Sequence, residues 1–141
     1  MGEQAGEKTD TWIAGGEVML VDDDVRNLFA LTSVMERHRI QVLHAESGQE
    51  AIDMLKAEPE VDLVVMDIMM PKMDGYETIR RIRQIPEFLT LPIVALTAKA
   101  MKGDREKCIE AGASDYITKP VNLDDLIWML RAWLPRITEG A

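Results

Sequence analysis

The stretch DLVVMDIMMPKMDG, residues 62–75, decides how the rest of the chain is read. Its apolar run Leu63-Val64-Val65-Met66 ends on Asp67, with Met69-Met70-Pro71 close behind. A short apolar run bounded by turn signals reads as a strand buried on both faces, the kind found inside a parallel sheet. Burying a lone carboxylate costs several kcal/mol or more unless something pairs with it. The least costly place for Asp67 is therefore the strand's carboxyl end, where the chain leaves the sheet. In open α/β sheets that edge is where ligands bind. Taken alone, such an aspartate is more often an N-cap or turn residue. The surrounding chain changes that balance.

Strand-like and helix-like segments alternate on both sides of this stretch. Val18-Met19-Leu20-Val21 is an apolar run ending in Asp22-Asp23-Asp24, and Val25, Leu28, Phe29, Leu31 and Met35 follow at helical spacing. Ile40-Gln41-Val42-Leu43 is a second strand. Ser47 and Glu50 form a capping box that opens a helix with Ala51, Ile52, Met54 and Leu55 inward, closed by Pro59. Beyond the Met73-Asp74-Gly75 turn, Tyr76, Ile79 and Ile82 make another helical stripe. Ile93 to Thr97 is a fourth strand with Pro92 at its start, and residues 101–111 read as a helix stopped by Gly112. Tyr116-Ile117-Thr118 is a fifth strand, stopping at Lys119-Pro120. Asn122 caps a last helix whose expected inner face is Leu123, Leu126, Ile127, Leu130 and Leu134, with Trp128 well away from it. Five strands alternating with five helices imply an α/β fold with a parallel sheet covered on both faces. Right-handed crossovers leave few topologies, and the flavodoxin-like doubly wound order 2-1-3-4-5 is expected.

The whole chain sets the outer limits. Its 141 residues suffice for one domain with a real core, and 47% hydrophobic with 29% charged residues reads as soluble and globular. A net charge of −9 with no basic stripe argues against nucleic acid as a partner. No apolar stretch approaches the length of a membrane span, and no signal peptide opens the chain. A single cysteine, Cys108, fits a reduced, cytoplasmic setting. Residues 1–15 read as a flexible lead-in or linker, 16–135 as the folded domain and 136–141 as a tail.

Each central strand ends on a residue able to do chemistry: Asp22-Asp23 after the first, Asp67 on the third, Thr97 on the fourth and Lys119 after the fifth. Singly, each has an ordinary explanation. Asp22 to Asp24 can cap the first helix, as Asp24 is expected to do; Thr97 is a good β-former, and a lysine before proline is usually solvated. Their joint placement is what points to function. Three close carboxylates repel one another unless a cation joins them, and hard oxygen ligands suit Mg²⁺ working with phosphate oxygens. With an ammonium and a hydroxyl nearby, this makes a pocket for one phosphoryl group above a carboxylate nucleophile.

These residues resemble the response-regulator receiver domains of two-component signalling. The resemblance covers about residues 17–134 and is carried by VDDD at 21–24, MDIMMPKMDG at 66–75, LTA at 96–98 and YITKP at 116–120. It implies phosphorylation of Asp67 by a histidine kinase or histidine phosphotransfer domain. It also implies Mg²⁺ held by Asp23, Asp67 and the backbone carbonyl of Met69, with Asp22 helping through water. Thr97 and Lys119 would contact phosphoryl oxygens, Ala98 would leave the site open, and Tyr116 stands at the aromatic switch position. A cis Lys119–Pro120 peptide follows from the same resemblance. Met69 and Lys99 occupy the positions that tune phosphoryl lifetime. An apolar thioether and an ammonium are poor at orienting or activating water, so a long-lived phosphoryl-Asp67 is expected. With no effector domain after the last helix, the chain reads as a single-domain regulator or the receiver of a larger protein. DVRNLFAL and TKPVNLDDL resemble receivers attached to hybrid histidine kinases, which adds a kinase core or a second copy of the chain as expected contacts.

Two other classes compete. Phosphatases of the haloacid dehalogenase type also use a strand-end aspartate with Mg²⁺, but they place a second acid two residues on, where Met69 stands. A flavodoxin-like flavin or small-ligand binder needs a hydroxyl- and glycine-rich phosphate loop after the first strand, and Asp22-Asp23-Asp24 would repel a phosphate there.

Overall fold

A computed structural model describes residues 15–58, 60–98 and 102–134. The readings made on the lead-in, Pro59, Lys99, residue 101, Pro135 and the tail lie outside the described residues. Five parallel strands, β1 (Glu17–Val21), β2 (Gln41–Ala45), β3 (Leu63–Asp67), β4 (Ile93–Thr97) and β5 (Asp115–Thr118), form one sheet in the order 2-1-3-4-5. The helices are α1 (Val25–Arg37), α2 (Gly48–Ala57), α3 (Gly75–Arg83), α4 (Lys102–Ala111) and α5 (Leu123–Trp133). The flavodoxin-like topology expected from the alternation is the one observed.

The period of two along each central strand sorts side chains into two cores. Val18, Leu20, Leu63, Val65, Val94 and Leu96 face one way and pack with Leu28, Leu31 and Met35 of α1 and Leu126, Met129 and Leu130 of α5. Met19, Val21, Val64, Met66, Ile93 and Ala95 face the other way, against α2, α3 and α4. The uninterrupted apolar run of β3 is thereby explained: every residue from Leu63 to Asp67 is buried. Burying an aliphatic side chain fully contributes roughly 1.5–3 kcal/mol, so each central strand is a major source of stability.

Local chemistry fixes the ends. Asp24 caps α1 by accepting from the Arg26 N–H, and Ser47 caps α2 by accepting from the Glu50 N–H. The Glu50 carboxylate reaches back to the Glu46 N–H at 2.7 Å, one residue earlier than a standard capping box. Asn122 caps α5 by accepting from the N–H groups of Asp124 and Asp125. After α4, Gly112 has φ +117°, and a Cβ there would meet Arg83 Cγ at 2.7 Å, so this stop requires glycine.

Three expectations are corrected. Phe29 is 74% exposed and Val25 is also exposed, so neither joins the α1 core stripe. At 3.6 residues per turn Phe29 lies about 100° round from Leu28, on the side away from Leu31 and Met35. On α5, Leu123 is exposed and Met129 is buried. Leu123 sits in the first turn, one turn short of Leu126, while Met129 fills the stripe beside Leu130. β2 runs from Gln41 to Ala45 rather than from Ile40, because the Ile40 N–H donates to the Met35 carbonyl at 3.2 Å and closes α1. Arg39, with φ 62°, makes the left-handed turn between them. A further short 3-10 turn spans Pro86–Phe88, with proline at its start. Trp128 is 69% exposed, as its place on the helical wheel requires.

Candidate functional site

Strand register builds the site. Val21 pairs with Met66, so one step further along brings Asp22 beside Asp67 at the carboxyl edge. Thr97 pairs with Thr118, and the Lys119 N–H donates to the Thr97 carbonyl at 2.8 Å, which carries Lys119 across the end of β4. Asp22, Asp67 and Thr97 are buried, whereas Asp23 is exposed. Asp22, Asp23 and Asp67 can each offer one carboxylate oxygen with all three within 4.8 Å of one another. Lys119 Nζ donates to Asp67 Oδ1 at 2.9 Å and lies 3.7 Å from Asp22 Oδ2. Asp67 Oδ1 also accepts from the Met69 N–H at 3.3 Å.

The charges are unequally shared. Burial, then the charge of Asp22, pushes the Asp67 carboxyl above the usual range, against the pull of Lys119 and the Met69 N–H. Burial draws the Lys119 ammonium down, but its bond to Asp67 and the charges of Asp67, Asp22 and Asp23 outweigh that and raise it. The two directions agree: one ammonium is well satisfied by three carboxylates, while one carboxylate is poorly satisfied by one ammonium. The crevice is short of positive charge, and its oxygen donors suit a hard divalent cation.

The loop after β3 explains the rest of the opening stretch. The Gly75 N–H donates to the Ile68 carbonyl at 2.9 Å, folding residues 69–74 back over the strand end. A Cβ at Gly75 would meet the Asp67 carbonyl oxygen at 2.5 Å and Ile68 Cα at 2.7 Å. Asp74 then caps α3 by accepting from the Glu77 N–H. Met70 is buried in the core beside α3, and Met69 is 71% exposed. The aromatic position is occupied by a half-buried Tyr116 whose hydroxyl accepts from Arg105 at 3.0 Å, with the guanidinium 5.8 Å from the ring centroid. The Lys119–Pro120 peptide is cis. Asn27, within the DVRNLFAL stretch but not expected at the site, donates to Asp22 Oδ2 at 3.2 Å.

Residues 18–131 match the family described as response regulator receiver domain. The chain belongs to that family. Among similar proteins is the signal transduction histidine-protein kinase BarA of Escherichia coli K12. It is 39% identical over 118 residues, which cover 84% of this chain and 13% of BarA, so the chain spans about an eighth of that relative. A receiver domain from a sensor histidine kinase of Pseudomonas aeruginosa PAO1 superposes with a TM-score of 0.76 at 36% identity, covering 85% of this chain and 98% of that one. That structure has a magnesium ion coordinated in its active site cleft. The receiver domain of the response regulator Ssk1 of Saccharomyces cerevisiae, crystallised with the histidine phosphotransfer protein Ypd1, gives a TM-score of 0.80 at 33% identity, covering 85% of this chain and 89% of that one. The family match and these superpositions agree on the receiver fold of two-component signalling. No helix among the described residues is long and apolar enough to cross a membrane.

Proposed function

We propose that Asp67 accepts a phosphoryl group from the phosphohistidine of a histidine kinase or histidine phosphotransfer domain, with Mg²⁺ required. The observation that carries this reading is the meeting of three carboxylates at one strand edge with Lys119 bonded to Asp67. Asp23, Asp67 and the Met69 carbonyl would hold the cation, with Asp22 acting through water. Bound there, Mg²⁺ would neutralise charge on the phosphoryl oxygens. An Asp67 oxygen forms the bond to phosphorus as the phosphorus–nitrogen bond of the donor breaks. The electron pair leaves with the imidazole nitrogen, which takes up a proton. Lys119 stays protonated throughout and can move from Asp67 Oδ1 onto a phosphoryl oxygen. The Thr97 hydroxyl offers a second contact there, and its inward movement makes room for the Tyr116 ring. Tyr116 must leave Arg105 to fill that space, which would alter the surface shared by α4 and β5 and bias a two-state partner face.

Residues 16–135 would form the receiver unit. The likeness to receivers of histidine kinases favours a place in a hybrid kinase over a free-standing regulator. The direct test is intact-mass spectrometry after incubation with acetyl phosphate. One phosphoryl group is expected with Mg²⁺ and none with a chelator. Asp23→Ala is expected to weaken Mg²⁺ binding by at least about tenfold, the lower end of the loss typical even of an outer-sphere partner. Its metal-free melting temperature should be unchanged or higher, since one like charge is gone. Undiminished Mg²⁺ affinity in calorimetry would count against the ligand set.

Met69 adds a kinetic expectation. Its exposed thioether stands two residues beyond Asp67 and cannot hydrogen-bond an attacking water usefully. Met69→Asn combined with Lys99→Glu should shorten the phosphoryl lifetime by about tenfold, well under the full effect of a positioned general base. The decay of phosphorylated protein after donor removal measures this; equal lifetimes would refute it.

A further inference from the structure

Asn27 sits in the first turn of α1, where its own N–H is already taken by the Asp24 carbonyl at 3.0 Å. Its side chain turns back across the helix start and donates to Asp22 Oδ2 at 3.2 Å. The other oxygen of that carboxylate, Oδ1, accepts from the Asp24 N–H at 2.8 Å. Both oxygens of Asp22 are therefore engaged by neutral donors of the same chain. Lys119 Nζ is also within ion-pairing range of Oδ2, at 3.7 Å, yet makes its short bond, 2.9 Å, to Asp67. Asn27, Asp22, Lys119 and Asp67 thus form a series in which each member touches the next.

A buried carboxylate needs hydrogen-bond donors, and satisfying Asp22 is a sufficient structural reason for an amide at position 27. The series gives it a further consequence. Opposite charges attract more strongly than a neutral amide and an ion, so an Asp22 oxygen freed of Asn27 would draw Lys119 to itself. The ammonium would then leave Asp67 and stand away from the path of the incoming phosphoryl group. We infer that Asn27 is a positioning residue for phosphoryl transfer: by occupying Asp22 Oδ2 it leaves Lys119 to Asp67. It touches neither the phosphoryl group nor a reacting atom, and it acts through Asp22. This inference rests on the proposed role of Asp67 and deepens it.

The test compares wild type with Asn27→Ala, Asn27→Asp and Asn27→Gln. In Asn27→Ala the rate of phosphorylation at saturating acetyl phosphate should fall about tenfold, the scale of one hydrogen bond to a charged group. The half-saturating donor concentration and the Mg²⁺ dissociation constant should stay within about threefold of wild type, because Asp23 and Asp67 are untouched. Asn27→Asp keeps the size but loses the donor, and should lose at least as much rate. Asn27→Gln, which keeps the amide, should recover part of it. In the metal-free proteins, the NMR signal of the Lys119 ammonium should shift in Asn27→Ala and move back towards wild type in Asn27→Gln. An Asn27→Ala protein with wild-type rate and an unmoved Lys119 signal would overturn the inference. So would a rate loss matched by an equal loss of Mg²⁺ affinity, or a loss that glutamine does not relieve at all. Wild type serves as the control that separates the two levels: if it takes no phosphoryl group, the role of Asp67 itself has failed.

Discussion

Asp67→Asn is expected to take up no phosphoryl group from acetyl phosphate and Mg²⁺, a complete loss rather than a slowing. Asparagine is nearly the same size and can accept Lys119's hydrogen bond, but its amide is not a nucleophile for phosphorus. A second effect accompanies it in the metal-free protein. Burial and Asp22 raise the Asp67 carboxyl above its ordinary 3.8. A raised folded-state value means that the folded chain holds this proton longer than the unfolded chain does. Stability is therefore lost as pH rises from 3.8 through the raised value, and the cost remains at neutral pH. The asparagine variant escapes this loss, so its stability relative to wild type should grow over the same interval. Thermal melts across that range in a chelator test the sign; a gap that shrinks with rising pH would contradict it.

The largest stability effect is expected at Gly75→Ala. The added methyl would press on the Asp67 carbonyl oxygen at 2.5 Å and Ile68 Cα at 2.7 Å, both of them backbone. No side chain can swing aside to relieve these contacts, so either α3 or the end of β3 must move. Overpacking of this kind costs about 2 kcal/mol, which for a domain of this size lowers the melting temperature by roughly 8 °C. The Ile68–Gly75 hydrogen bond that closes the loop would be strained by the same movement. Phosphorylation should also slow, because the displaced backbone carries Asp67, the proposed phosphoacceptor. A melting temperature within about 2 °C of wild type would show that the loop has slack.

Much of this was legible in residues 62–75. A short continuous apolar run needs burial on both faces, which a central parallel strand supplies. Once β3 is central, the acidic end of Val18–Val21 and the Thr97 and Lys119 endings fall on the same edge, and the three-carboxylate cluster follows. What was missed lay where a pattern gives membership without direction. Phe29 lies off the buried side of the wheel, whereas Val25 stands within about 20° of buried Thr32 and is exposed because it is the first residue of α1. Leu123 has the right angle on α5 and still reaches solvent from the first turn. Ile40 is apolar because it buries the end of α1, a service that looks like a strand when read in sequence alone. Asn27 lies within the DVRNLFAL stretch, but nothing in that stretch tied it to the strand-end site. An asparagine in a helix's first turn is common, and only the fold brings its amide to Asp22.

The most direct measurement is chemical trapping of the acyl phosphate. Wild-type protein would be incubated with acetyl phosphate, with Mg²⁺ or with a chelator, then reduced with borohydride, cleaved and mapped by mass spectrometry. The expected result is a single reduced residue, Asp67, found in the Mg²⁺ sample and absent from the chelated one. Reduction at another carboxylate, or equal reduction at Asp67 without Mg²⁺, would contradict a cation-dependent phosphoacceptor at the end of β3.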